Sequence, residues 1–294
     1  MTDHPTGAPA LCRLDDLGVL RFRGADAGSF LQGQLSNDLS RLRPDAILRA
    51  GLHTPQGRAL VLPWLAAADG DILAVLPREL AAGTAAQMRR YVLRARLTIT
   101  DESDRQQVLG LHLPARSALP GGSHRLDAER AVMVRAVSDE SPDLPTLSRE
   151  QWRALDIAAG IPQIYQATTG QFVAQMLNLD CIDAISFTKG CYTGQEVIAR
   201  AHYRGRVKRR MQRFETVSPA RLAPGDAGHL DDGRAYRVVE AVTRADGRCE
   251  FLAVAPLSAG AREDSPEGGA KAADASAAAP LGARALPLPY PLPE

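Results

Sequence analysis

The octapeptide KGCYTGQE, residues Lys189–Glu196, is the stretch of this chain that says most about its fold and its chemistry. Gly190 and Gly194 flank Cys191, so the backbone beside the cysteine can turn tightly and be approached closely. The apolar spacing of the residues that follow predicts a helix starting near Gln195. The sequence therefore predicts a cysteine just ahead of a helix N-terminus.

Such a position favours the thiolate form of Cys191. The N-terminus of a helix carries positive partial charge, Lys189 lies two residues away, and Arg200 is expected one turn inside the helix. Two interpretations follow: a reactive thiol, or the small buried side chain that intracellular cysteines commonly are. Cys181 is a weaker second candidate because nothing comparable surrounds it. The other cysteines are predicted to be core residues, namely Cys12 and Cys249.

A basic segment follows the octapeptide. Seven cations and no acidic residue lie between Val197 and Phe214, namely Arg200, Arg204, Arg206, Lys208, Arg209, Arg210 and Arg213. A solvated linker or edge strand explains them as well as a binding surface for an anion does. The anions in question are a polyglutamate tail or RNA phosphates.

Composition bounds the remaining possibilities. The 294 residues suggest two or three domains, and 45% are hydrophobic, which is enough for a core. The 35 basic and 34 acidic residues nearly cancel, which excludes a uniformly basic nucleic-acid coat and an acidic disordered chain. Four scattered cysteines do not make a disulfide framework. With no signal peptide and no apolar run near the length of a membrane span, a soluble cytoplasmic protein is expected.

Local patterns predict an α+β fold, because strands with hairpin returns alternate with helices. Asp26 is a predicted N-cap, and a helix is expected from Pro77 to about Arg94. Ser148 with a glutamine three residues later forms a capping box, and residues 114–128 are expected to be a loop. Towards the C-terminus, turn signals between strand-like runs predict a small antiparallel barrel.

Taken together, these residues resemble the YgfZ-type folate-binding proteins, whose signature the octapeptide matches. Supporting similarity covers nearly the whole chain in five further places: Asp26–Asp38, Gly160–Ile164, Gly170–Gln175, Asn178–Leu179 and Pro287–Tyr290. The family is similar in fold to the glycine-cleavage T-protein. The resemblance therefore implies an α+β fold with folate-binding domains around a central pocket and a C-terminal antiparallel β-barrel.

The resemblance also implies a domain organisation. It comprises the first part of the folate-binding region in 1–100, a second α+β part with the octapeptide in 101–213, and a small β-barrel in 214–257. Residues 258–283 are expected to be disordered because they are rich in alanine and mixed charge. The apolar, proline-spaced tail 284–294 is expected to dock back on the body.

In function, the resemblance implies a folate-binding accessory protein that supports iron–sulfur cluster assembly or repair, including clusters of tRNA-modifying enzymes. Cys191 is the expected functional thiolate, as a nucleophile or as a transient iron or cluster ligand; no resident metal is expected. The cofactor would be tetrahydrofolate or a derivative. Its contacts are expected from Lys189, Tyr192, Gln195, Glu196 and Arg200. The expected partners are iron–sulfur enzymes or assembly factors, with tRNA contact through Arg200–Arg213.

Two alternatives remain: a folate-dependent one-carbon transferase, and a module that binds tRNA or a tRNA-modifying enzyme. T-proteins carry acidic residues needed for aminomethyl transfer, but the matching stretch here, Gly57–Leu62, has no carboxylate. Whether the chain is an enzyme is therefore left open. Relatives also carry an acidic residue that hydrogen-bonds the pterin where this chain has Ala158, with Asp156 two residues before it.

Overall fold

The computed structural model of the chain describes residues 8–115, 117–205, 207–258 and 280–293. These residues form two compact units, each assembled from three stretches of chain. The first unit consists of Met1–Leu52, Val61–Trp152 and Ala184–Tyr192, and the second of His53–Leu60, Arg153–Asp183 and Thr193–Glu294. The octapeptide therefore ends the first unit and begins the last stretch of the second.

Helices and strands are mixed along the described chain. The strands are β1 (Ala10–Arg13), β2 (Leu17–Arg23), β3 (Leu48–Arg49), β4 (Leu52–His53), β5 (Ala59–Val61), β6 (Trp64–Ala68), β7 (Asp71–Pro77), β8 (Thr98–Asp101), β9 (Gln106–His112), β10 (Ser123–Arg125), β11 (Arg130–Ala136), β12 (Arg209–Thr216), β13 (Ala227–His229), β14 (Ala235–Thr243), β15 (Cys249–Pro256) and β16 (Ala283–Leu286). The helices are α1 (Ala27–Gln34), α2 (Arg78–Arg89), α3 (Arg149–Ala158) and α4 (Gln195–Tyr203), with short 3₁₀ turns at Leu39–Arg41 and Ala174–Leu177.

The first unit contains two antiparallel sheets. One has the strand order β3-β6-β7-β2-β8, and α2 packs on it against β2 and β8. The alternation of apolar residues in β2 places Leu20 and Phe22 in the core, where both are fully buried. Helix α1 adds Leu31, also fully buried.

The second sheet of this unit has the order β1-β9-β11-β10. Gly110 lies in the middle of β9 because the ring of Trp152 takes the place of a side chain there. A Cβ on Gly110 would lie 2.6 Å from that ring. The predicted capping box is confirmed at the start of α3: the Ser148 N–H donates to Oε1 of Gln151 (2.8 Å), and the Gln151 N–H donates to Oγ of Ser148 (3.2 Å).

The second unit contains one five-stranded antiparallel sheet with the order β13-β14-β15-β12-β16. Its core includes Phe214 and Phe251, whose rings stack with centroids 5.4 Å apart. The C-terminal strand β16 pairs with β12, and just outside the sheet Leu230 and Leu281 form an isolated parallel bridge. Most of the stretch predicted to be disordered, 258–283, lies outside the described residues.

Two local predictions were wrong, and a third was confirmed in position only. Asp26 is the N-cap residue of α1, but its side chain makes no capping hydrogen bond, and its carboxylate accepts the Arg96 N–H (2.7 Å). Helix α2 was expected to continue to about Arg94 but ends at Arg89. At its end the N–H of Arg90 donates to the carbonyl oxygen of Gln87, and the chain leaves the helix. The expected loop 114–128 contains β10, because pairing with β11 overrides its turn-rich composition.

Candidate functional site

Helix α4 begins at Gln195, as predicted, and its start depends on Gly194. This residue has φ +85°, a conformation that other residues rarely adopt. A Cβ at this position would also lie 2.5 Å from the carbonyl oxygen of Thr54 and 3.2 Å from Cα of Gly57. The glycine is therefore required by both its backbone angle and the close approach of a neighbouring turn.

The Lys189 side chain points inward, within the first unit. It is 8% exposed, and its ammonium donates to the carbonyl oxygens of Gln32 (2.6 Å), Leu35 (2.7 Å) and Asn37 (2.9 Å). Its Nζ also lies 5.1 Å from the ring centroid of Tyr192. Burial lowers the pKa of Lys189 to about 8. The side chain thus ties the octapeptide to the end of α1 and the turn that follows.

Cys191 is exposed, although both of its patterned neighbours, Lys189 and Tyr192, are buried. Burial also raises the pKa of the Tyr192 phenol to about 12, so this ring stays neutral at physiological pH. The octapeptide therefore presents one thiol to solvent from a backbone that is anchored on both sides of it.

The remaining cysteines have different environments. Cys181 is half-buried, and burial together with the charge of Asp180 raises the pKa of its thiol to about 11. Cys12 and Cys249 are buried in strands, which confirms that they are core residues. Among the four cysteines, all of them in the described residues, Cys191 alone is exposed.

Helix α4 begins the last stretch of the second unit and presents the other predicted contact residues. Glu196 and Arg200 are exposed, and Gln195 is half-buried. On the opposite side, Ile198 is buried and its carbonyl oxygen accepts a hydrogen bond from Nε2 of Gln175 (2.7 Å). The helix is therefore fixed on one face and open to solvent on the other.

The basic segment divides into two parts. Arg200, Arg204 and Lys208 are exposed, whereas Arg209 is half-buried in β12 and Arg210 is buried. The predicted tRNA contact through Arg200–Arg213 thus includes residues that do not face solvent. Arg206 lies outside the described residues.

The buried part of the segment is held by carboxylates. The guanidinium of Arg210 donates through two nitrogens to both oxygens of Asp180 (2.9 Å each), and the side chains are 4% and 7% exposed. Arg213 donates to Glu250 (2.7 Å), which is also buried. These two arginines are structural, which corrects the expectation of one continuous basic surface.

Sequence comparison gives the family. The chain is 31% identical over 271 residues to the tRNA-modifying protein YgfZ of Escherichia coli O157:H7, covering 81% of this chain and 82% of that protein. The chain belongs to the YgfZ family. The tRNA-modifying protein YgfZ of Serratia proteamaculans is 30% identical over 268 residues, with 81% of each chain covered. A scan against models of protein families found no match.

Structural comparison confirms the fold expected of a YgfZ-family chain. The glycine cleavage system aminomethyltransferase T from Bartonella henselae is similar with a TM-score of 0.61, covering 86% of this chain and 80% of that one. The sequence identity is 12%, so this similarity concerns the fold alone. The chain is therefore a mixed α and β protein with a T-protein-like fold.

Two further stretches of this YgfZ-family chain bear on the expected folate site. Arg58 stands in the segment without carboxylates, and its guanidinium donates to the carbonyl oxygens of Gly170 (3.3 Å) and Gln171 (3.1 Å). In α3, Asp156 is buried and Ala158 is half-buried. Asp156 is therefore placed inside the second unit rather than on its surface.

Sequence reasoning missed the functions of two residues. Gln175 was noted only as part of a matching stretch, but it is 1% exposed and its Oε1 has no hydrogen-bond partner among the described residues. Asp180 was noted only as a neighbour of Cys181, but it is the partner of Arg210. Each side chain contacts a residue more than twenty positions away in the sequence. A local sequence pattern cannot predict such contacts.

Two kinds of feature are absent from the described residues. No group of three or more histidine, cysteine, aspartate or glutamate side chains there is arranged to hold a metal ion. None of the helices in that part of the chain has the length and apolar character needed to cross a membrane.

Proposed function

We propose that this YgfZ-family protein is a folate-binding accessory protein for iron–sulfur cluster assembly or repair, including the clusters of tRNA-modifying enzymes, with Cys191 as its functional thiolate. One observation carries the proposal: Cys191 is exposed in the middle of an octapeptide whose neighbouring side chains are buried. A cysteine whose only role is packing would be expected to be buried.

The chemistry of a thiolate suits this cargo. Thiolate sulfur is a soft ligand that binds iron well, and it is also a good nucleophile. Cys191 is exposed, so iron or an electrophile can reach its sulfur from solvent. On binding iron the thiol releases its proton to solvent, and it regains one when the iron leaves. An exposed thiol can make and lose such a bond without unfolding its surroundings.

The residues of the second unit fit parts of a folate. The buried Oε1 of Gln175, which lacks a hydrogen-bond partner in the described residues, can accept from an N–H of the pterin. The exposed guanidinium of Arg200 suits the glutamate carboxylates. When bound, tetrahydrofolate would supply a carrier for one-carbon groups. Lys189 would act by holding the octapeptide in place, since its ammonium is bonded to carbonyl oxygens.

Complementation tests the function of the cysteine. In cells that lack the native copy, Cys191→Ser should abolish the restoration of cluster-dependent tRNA thiolation. Cys181→Ser is the matched control because its thiol is half-buried and stays protonated at neutral pH. Full restoration by a folded Cys191→Ser variant would contradict the proposal.

Titration with tetrahydrofolate tests the cofactor. Arg200→Ala should weaken binding, with the exposed Arg105→Ala as the matched control. Ala158→Glu, which restores the acidic residue of relatives, should strengthen it if the pterin is recognised there. No binding by the folded wild-type chain would exclude folate while leaving the proposal for the cysteine open to its own test.

Two finer features belong to the same proposal. We propose that the five-stranded sheet of the second unit closes as a barrel, which the bridge between Leu230 and Leu281 supports. A cytoplasmic location suits a protein whose functional thiol must stay reduced, because cytosolic thiols are kept reduced.

A further inference from the structure

The chain continues beyond β16 as a proline-spaced segment, and we call residues 287–293 the distal tail. Its prolines are exposed, whereas Leu288 and Tyr290 are half-buried. In the described part of the chain, hydrogen bonds hold this segment at two places. Arg213 donates to the carbonyl oxygen of Pro287 (3.4 Å), and Tyr290 bonds through its phenol. Because proline has no backbone N–H to donate, the distal tail can open without breaking a strand ladder.

Tyr290 is fitted closely against Gly160. Its phenol donates to the carbonyl oxygen of Gly160 (2.7 Å) and accepts from Nδ2 of Asn178 (3.4 Å). Gly160 has φ +63°, and a Cβ there would lie 2.8 Å from the Tyr290 ring and 2.9 Å from Leu288. Burial raises the pKa of the phenol to about 12, so the phenol remains a donor at neutral pH. Shape and hydrogen bonds therefore both fix the position of the ring.

The two hydrogen-bond partners of Tyr290 belong to different segments of the second unit. Gly160 follows α3, whereas Asn178 ends the 3₁₀ turn Ala174–Leu177 in a left-handed conformation (φ +56°). Asn178 is fully buried, and its N–H donates to the carbonyl oxygen of Gln175 (3.1 Å). Tyr290 therefore supports the turn that carries Gln175.

Gln175 has an unused acceptor in a buried position. Its Nε2 donates to the carbonyl oxygen of Ile198 (2.7 Å), but its Oε1 has no hydrogen-bond partner in the part of the chain that the structure describes. A buried acceptor without a donor is costly, so a ligand N–H at this point would be bound favourably. The backbone of Gln175 is held by Asn178 and by the guanidinium of Arg210, which donates to the same carbonyl oxygen (3.1 Å). The direction of Oε1 therefore depends on the turn that Tyr290 supports.

We propose that Tyr290 is a positioning residue for the folate site, and that docking of the distal tail and binding of tetrahydrofolate favour each other. The docked phenol holds Asn178, and Asn178 holds the turn from which Gln175 offers its Oε1 to the pterin. This inference rests on the folate binding proposed above. Because coupling between two binding events is reciprocal, the docked tail should strengthen folate binding by the same factor as folate strengthens docking.

Titration with tetrahydrofolate tests the positioning role. Tyr290→Ala should weaken binding by about 5- to 150-fold, the usual range for coupling between two sites. Tyr290→Phe keeps the ring but loses both hydrogen bonds, so a weakening of about 2- to 10-fold is expected. Phe251→Leu is the control for a purely structural effect, because Phe251 lies in the core of the sheet in the same unit. It should lower the melting temperature but leave the affinity of the folded chain unchanged.

Labelling of Cys181 with iodoacetamide measures docking of the tail. The half-buried thiol lies 3.8 Å from Nη1 of Arg210, and both groups interact electrostatically with the Tyr290 phenol. Tyr290→Ala should therefore raise the labelling rate of Cys181. Tetrahydrofolate should lower that rate in the wild type and have no effect on it in Tyr290→Ala. Cys191, which trypsin separates from Cys181 by cleaving after Lys189, is the internal control and should react equally fast in both proteins without folate.

The outcomes separate this inference from the folate proposal. Equal affinity of the wild type and Tyr290→Ala for tetrahydrofolate would overturn the inference and leave folate binding intact. Equal protection of Cys181 by folate in the two proteins would do the same, as would an equal loss of affinity in Phe251→Leu. No binding by the folded wild-type chain would overturn both.

Discussion

Arg204 and Arg210 lie six residues apart in one basic segment, and their environments are opposite. Arg204 is exposed and faces solvent at the end of α4. Arg210 is buried in β12, where both oxygens of Asp180 accept hydrogen bonds from its guanidinium. The difference shows that a run of like charges in a sequence is not by itself a surface. Each cation has to be assigned by the oxygen atoms that surround it in the folded chain.

The largest expected loss of stability comes from replacing Arg210, the buried arginine of this pair. Arg210→Met should lower the free energy of unfolding by about 3–5 kcal/mol, because it leaves the carboxylate of Asp180 buried without its partner. Urea denaturation measures the loss. The double variant Arg210→Met plus Asp180→Asn should be more stable than the single one, and a loss below about 1 kcal/mol in the single variant would show that the pair is not structural.

The first unit also contains a buried cation, Lys189. Lys189→Met should lower the free energy of unfolding by about 1–3 kcal/mol, because three carbonyl oxygens lose their donor. The pH dependence has a definite sign. With a folded pKa of about 8 and an unfolded value of about 10.4, the unfolded chain binds more protons between those values.

The contribution of this group to stability therefore rises with pH across that window. Denaturation midpoints measured from pH 7.5 to pH 10.5 should rise more steeply for the wild type than for Lys189→Met. Parallel pH profiles for the two proteins would mean that the pKa of Lys189 is the same in the folded and unfolded chains.

A smaller effect is expected at Arg213, which is buried less completely than Arg210. Its partner Glu250 also forms an ion pair with Arg244, so the carboxylate keeps one cation when Arg213 is replaced. Arg213→Gln should therefore cost about 1–2 kcal/mol in thermal or urea denaturation. A loss as large as that of Arg210→Met would show that Arg244 does not compensate.

The smallest effect on stability is expected in the exposed part of the segment. Arg204→Ala should change the free energy of unfolding by no more than about 0.5 kcal/mol, because its guanidinium faces solvent. Urea denaturation of Arg204→Ala and Arg210→Met under the same conditions compares the two losses of stability directly. A destabilisation comparable to that of Arg213→Gln would remove the distinction between the two parts of the segment.

Much of the local structure was predictable because its causes are local. The capping box at Ser148 and the start of α4 at Gln195 depend on residues within one turn, and both were confirmed. The partner of the Asp26 side chain was not predictable in the same way. Its carboxylate bonds to Arg96, seventy residues further along the chain. Strand β10 likewise exists because β11 pairs with it.

The candidate site shows the same limit. The sequence pattern identified the octapeptide and Cys191, because the glycines on both sides of the cysteine and the apolar spacing of the following helix can be recognised in the sequence alone. It did not reveal that Lys189 turns inward to three carbonyl oxygens, or that Gln175 is bonded to α4. Such contacts join residues that are distant in sequence, and their geometry is set by packing.

The sequence by itself determined the family, the fold class and the cysteine of interest, because a specific octapeptide and local capping signals are written in neighbouring residues. Only the tertiary structure decided which cations are free to bind a partner. Arg210 and Lys189 are held by oxygen atoms from distant parts of the chain, whereas Arg204 and Tyr203 are exposed. A charge is taken out of water only where packing supplies partners for it, and those partners are assembled by the fold.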